Sequence, residues 1–158
     1  MPLFRRPRLF EPAGSKGFQV RLAPEARDWV VSLADELEAL LVADTEDTRR
    51  LFPTAYPDDP ERDAGYQILA REQLIDDRRE AIALMRTTVT RSHMSVEELG
   101  AWMRIVNDLR LVLGTRLDVS EDDDELDVDG PDLESQLIYR ELGYLLSEIV
   151  DAMTTTLP

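Results

Sequence analysis

The chain has 158 residues and a formal net charge of −15, carried by 33 acidic side chains against 17 arginines and a single lysine, Lys16. That length supports one domain, residues 1–158, with its own core, and 43% hydrophobic with 32% charged residues describes a globular protein. The absence of cysteine and the single histidine, His93, exclude disulfides, thiolate metal sites, cysteine nucleophiles and histidine-rich metal centres within one chain.

The charge is unevenly distributed. Residues 1–21 carry a net +4, with Arg5, Arg6 and Arg8 as a basic N-terminal patch, whereas residues 117–158 carry a net −12. Nonspecific DNA binding needs a basic surface that neutralises phosphates, so duplex DNA should repel this chain everywhere except at its N-terminal segment. A protein partner with a basic face is the easier inference. No run approaches the roughly 18 to 20 apolar residues of a membrane span. No apolar run of signal-peptide length follows the N-terminal arginines, so the expected location is cytoplasmic.

In chain order, residues 3–10 and 18–22 read as strands of a β-hairpin around a turn at EPAGSKG. In FQVRL the apolar Phe18, Val20 and Leu22 alternate with Gln19 and Arg21. Pro7 restricts the first strand to an edge or interrupts it. A helix starting at Pro24 carries the stripe Trp29, Val30, Leu33, Leu37, Leu40 and Leu41. The connector RRLFPTAYPDDP ends in Asp59-Pro60, a helix cap followed by a first-turn proline. This second helix is expected from about Pro60 to Val89, with a possible break at Gly65 and with Ile68, Leu69, Ile75, Ile82, Met85 and Val89 as core.

Ser95 and Glu98 have the spacing of a capping box that opens a third helix with Leu99, Trp102, Ile105, Val106, Leu109, Val112 and Leu113 inward. An acidic loop over residues 120–132 leads to a fourth helix from about Leu133 to Met153, striped by Leu137, Ile138, Leu142, Leu145, Leu146, Ile149 and Val150. The fold expected is mainly α: a bundle of about four helices over residues 24–153, bearing a small N-terminal β-hairpin.

Within the third helix, Asn107, Asp108, Arg110, Gly114 and Arg116 interrupt the apolar pattern. Asn107, Arg110 and Gly114 share one stripe, and Asp108 stands four residues from Arg104, within pairing reach. A mid-helix glycine costs about 1 kcal/mol relative to alanine, so Gly114 implies close approach by another backbone or the end of the helix. Two readings follow. The cluster is a polar seam, within the bundle or across a dimer interface, in which Arg110 pairs with a carboxylate. Alternatively it is a small-ligand site, with Arg110 holding an anion and Asn107 as a second donor.

Other motifs are weaker. Glu125, Asp127, Asp129 and Gly130 match four positions of a calcium loop, but Gln136 stands where the bidentate glutamate belongs. His93 reads as a surface or capping residue. Adjacent carboxylates such as Asp76–Asp77 and Glu97–Glu98 do not converge on one point of a helix. A helix-turn-helix around TVTRSHMSVEELGAW would aim Glu97 and Glu98 at DNA, which opposes binding.

Three blocks, RRLFPTAYPDDP, WMRIVNDLRLVLGTRLDV and YRELGYLLSEIVDAM, together resemble the actinobacterial DUF2017 family, and with the hairpin the resemblance covers nearly the whole chain. Some members carry the label of oxidative-stress transcriptional regulator. Members tend to occur near a gene for a Clp-protease adaptor. The resemblance implies a transcription-related partner, such as RNA polymerase or a sigma factor, or else a link to Clp machinery; it supplies no cofactor and no catalytic residue. A thiol switch cannot operate in a chain without cysteine. The function expected is therefore that of a non-enzymatic regulatory or adaptor protein, cytoplasmic and homodimeric, acting through protein contacts. An accessory role in Clp-type proteolysis and a small-ligand domain using Arg110 and Asn107 are the alternatives.

Overall fold

The structure, a computed structural model, describes residues 8–43, 46–117, 130 and 132–155. Strand β1 (Phe10–Pro12) and strand β2 (Phe18–Val20) pair antiparallel, with Phe10 opposite Val20 and Pro12 opposite Phe18. Helix α1 (Pro24–Ala43) follows, then a 3-10 helix at Glu46–Leu51 and helix α2 (Pro60–Thr88). A two-residue strand β3 (His93–Met94) joins the other edge of β2, making an antiparallel sheet in the order β1-β2-β3. Helices α3 (Val96–Leu117) and α4 (Leu133–Thr154) complete a mainly α fold.

The helix starts follow local chemistry. Asp59 accepts a hydrogen bond from the amide of Arg62, and Pro60 occupies the first helical position. Ser95 and Glu98 form the reciprocal capping box: the amide of Glu98 donates to Ser95 Oγ at 3.1 Å and the amide of Ser95 to Glu98 Oε1 at 3.4 Å. Helix α2 runs unbroken through Gly65.

Helix α3 lies at the centre, packing against α4, α2 and the 3-10 helix. Its seven expected core residues are all buried, and Trp102 and Leu99 have no exposed surface. They join Leu33 and Leu37 of α1, Ile82 and Met85 of α2, Leu142 and Ile149 of α4, and Phe10, Phe18 and Met94 of the sheet in one contiguous core. Among the described residues, no helix is long and apolar enough to cross a membrane.

Several expectations need correction. Among the described residues the first strand lies at Phe10–Pro12, so it runs into the expected turn; Leu9 forms a bend, and residues 3–7 of the expected strand, Pro7 included, lie outside the described residues. Ile68 and Leu69 are 76% and 82% exposed, because only the second half of α2 reaches the shared core. Leu137 and Val150 of α4 are also exposed. His93 is neither a capping nor a plain surface residue: it pairs with Gln19 in the third strand, beside the buried Met94.

This third strand explains a glycine. Gly17 has φ +78°, and a Cβ built there would lie 2.1 Å from the carbonyl oxygen of Met94. Arg27 secures the opposite end of the β2–β3 pairing, donating to the carbonyls of Leu22, Val89 and Arg91. Gly17→Ala should therefore cost more than the ~1–3 kcal/mol of backbone strain alone, because the strand must also shift. Urea denaturation measures this loss, and a wild-type midpoint would contradict the contact.

Candidate interaction site

The polar residues of α3 divide between two neighbours. Asp108 is only 3% exposed, and its partner is Arg78 on α2, not Arg104. Arg78 Nε and Asp108 Oδ2 stand 3.0 Å apart without hydrogen-bond alignment, so the contact is an ion pair held by charge. Burial pushes the Asp108 carboxyl above its ordinary range, while the charges of Arg78 and the exposed Arg104 act the other way. Arg78 also faces the ring of Phe52, over which Arg71 stacks at 4.1 Å. One aromatic ring thus receives two arginines of α2.

Arg110 turns to the other side. Its guanidinium lies 4.5 Å from the ring centre of Tyr139 on α4. A Cβ on Gly143 would approach three of its atoms at 3.4–3.5 Å, so the missing side chain there makes room for the guanidinium. Arg110 Nε is buried without a hydrogen-bond partner among the described residues, and the expected carboxylate is replaced by an aromatic face. Gly114 follows the same logic. Helix α3 continues past it to Leu117, and the group that would meet a Cβ, at 2.9 Å, is the guanidinium of Arg50. The close approach is by a side chain, not by a backbone.

Asp108, Arg110 and Gly114 therefore fasten α3 to α2, to α4 and to the 3-10 helix within a single chain. Asn107 and Arg116 are exposed. Arg8 is exposed as well; Arg5 and Arg6 lie outside the described residues, as do Glu125, Asp127 and Asp129 of the calcium reading. Among the described residues, no group of three or more histidine and carboxylate side chains is placed to hold a metal ion.

Two surface features emerge that periodicity alone did not separate from the core. Ile68 and Leu69 form an apolar pair on the outer face of α2, between Glu61 and Glu72. A groove of about 380 Å³ opens between Leu9, the β2–α1 link, the start of α1 and α4. Composition gave no signal for the first: RDAGYQILAREQ carries four charges in twelve residues, about the same density as the whole chain at 32%.

The seam's electrostatics give a prediction with a sign. Because the folded-state carboxyl is raised, Asp108 favours the folded state most when protonated, and that contribution is lost as pH rises through its folded pKa. Arg78→Ala leaves an unpaired buried carboxylate and should cost about 3 kcal/mol at neutral pH. Removing Arg78 raises the carboxyl further, so the cost should shrink in mildly acidic buffer as Asp108 takes up a proton. Denaturation at both pH values reads this difference, and a pH-independent loss would contradict it.

Against known proteins, residues 5–153 match the family described as a domain of unknown function, DUF2017. No curated protein and no solved structure matches the chain. With nearly its whole length inside the match, the chain belongs to the DUF2017 family.

Proposed function

We propose that this protein is a non-enzymatic, cytoplasmic regulatory or adaptor protein that acts as a homodimer through protein–protein contacts. The observation that carries the reading is the apolar pair on α2. Ile68 and Leu69 stand side by side at 76% and 82% exposure on a helix whose second half is anchored in the core. A helix presenting two large aliphatic side chains among charges has the composition of a contact surface: apolar centre, polar rim. The seam of α3 supports the same reading from the other direction, since Asp108 and Arg110 are engaged by neighbouring helices.

The oxidative-stress regulator label that some members of the family carry favours a transcription-related partner, RNA polymerase or a sigma factor, over Clp machinery. With a net charge of −15, the surface should favour partners with a basic face and speed their encounter.

The test is capture from an actinobacterial lysate on tagged wild-type chain and on the double variant Ile68→Asp/Leu69→Asp, at low and high salt. Wild type should retain a specific partner that the variant loses, with equal melting temperatures, because both positions are exposed. RNA polymerase or a sigma factor would support the transcriptional reading, and Clp components the proteolytic alternative. Equal recovery on both chains would contradict the α2 surface. Light scattering reads the homodimer: twice the 18.0 kDa chain mass supports it, and a single chain mass contradicts it.

A further inference from the structure

We infer that the groove between Leu9, the β2–α1 link, α1 and α4 docks a short partner segment that combines large apolar side chains with lysine or arginine. This deepens the protein-contact reading and rests on it for its biological role, but the site is separate from the α2 pair.

The groove holds about 380 Å³, enough for a few large side chains, and its walls are Leu9, Leu22, Ala26, Trp29, Tyr144 and Leu145. Two of these are the residue types that most often anchor protein interfaces, tryptophan and tyrosine. Trp29 is only partly buried, and Tyr144 is 38% exposed, so both offer ring surface to an incoming segment. The walls are apolar, and the groove holds few groups that could orient a small polar molecule. Among the described residues that line it, the cation is Arg21, which is paired with Glu11 at 2.9 Å.

The rim carries the opposite sign. Glu141 is exposed on the α4 wall, and Glu25 is exposed one helical turn before Trp29. Glu148 is close by, because its carboxylate accepts the amide hydrogen of Leu9 at 3.1 Å. Among the described residues the trough is edged by Glu141, Glu25 and Glu148, against the exposed Arg8 beside Leu9 and an Arg21 that Glu11 neutralises. This surplus of carboxylates is complementary to an apolar segment flanked by cations. An acidic or neutral segment would fill the trough without satisfying the rim.

The experiment uses the purified full chain and a random dodecapeptide library displayed on phage, with Tyr144→Ala and Glu141→Arg as comparison chains. Selection on wild type should enrich peptides that combine leucine or aromatic residues with lysine or arginine. A synthetic, labelled copy of an enriched peptide should bind Tyr144→Ala about tenfold more weakly. Its binding to Glu141→Arg should also weaken, and added salt should narrow the gap between that variant and wild type. Glu141 is exposed, so its variant separates lost binding from lost folding.

No enrichment, enrichment of acidic peptides, or equal binding to all three chains would overturn the assignment. So would a wild-type dimer that Tyr144→Ala dissolves and that excludes the peptide, because the occupant would then be a second copy. Failure of the α2 variant to lose its lysate partner would leave this selection unaffected, so the two readings fail separately.

Discussion

The fold depends most on where the indole of Trp102 puts its N–H. The ring is fully buried, and a buried donor must find an acceptor or cost the fold the desolvation of that group. Trp102 Nε1 donates to Thr88 Oγ1 at 2.8 Å, and the Thr88 hydroxyl in turn donates to the carbonyl of Leu84 at 2.8 Å. The other face of the arrangement is Phe10, whose ring meets the indole edge-on with centroids 6.4 Å apart. One side chain of α3 thereby fixes the last turn of α2 and the first strand. The small sheet, unable to stand alone as a few short strands, gains its hydrophobic floor from the same residue.

From that anchor the polar residues of α3 acquire their places. With α2 held against α3 at Trp102, Arg78 comes within reach of Asp108, and the carboxylate is buried opposite a guanidinium. On the far side, Gly143 and Tyr139 give Arg110 a flat resting place on α4. Arginine suits these positions because its planar, weakly hydrated head stacks on rings at modest desolvation cost. Such pairs do little for net stability compared with apolar packing, but they penalise any misplacement of the helices.

The sequence made the helix starts legible because capping is local: Asp59-Pro60 and Ser95–Glu98 act across three residues. The inward stripe of α3 was equally legible, since that helix is covered along its length. Ile68 and Leu69 misled because periodicity reports a face and does not report whether a neighbour reaches it. Strand β3 was invisible for a related reason. Two residues carry no alternation, and the only trace of its closeness was Gly17, whose partner lies 77 positions later in the chain. Asp108 stood near Arg104 in sequence, yet its partner came from another helix, as buried charge often requires. The seam's residue types were readable, whereas its partners depended on tertiary placement.

The molecule thus has a rigid centre and two outward features, the α2 pair and the acidic-rimmed groove, mounted on it. Helix α3, held by Trp102, is the most stable element, and the first half of α2 depends on it. Native-state hydrogen exchange followed by NMR tests this most directly. The α3 amides from Leu99 to Leu113 should exchange only through global unfolding, while those of α2 before Leu74 open at lower free energy. Exchange of the central α3 amides as fast as those of the outer half of α2 would contradict it.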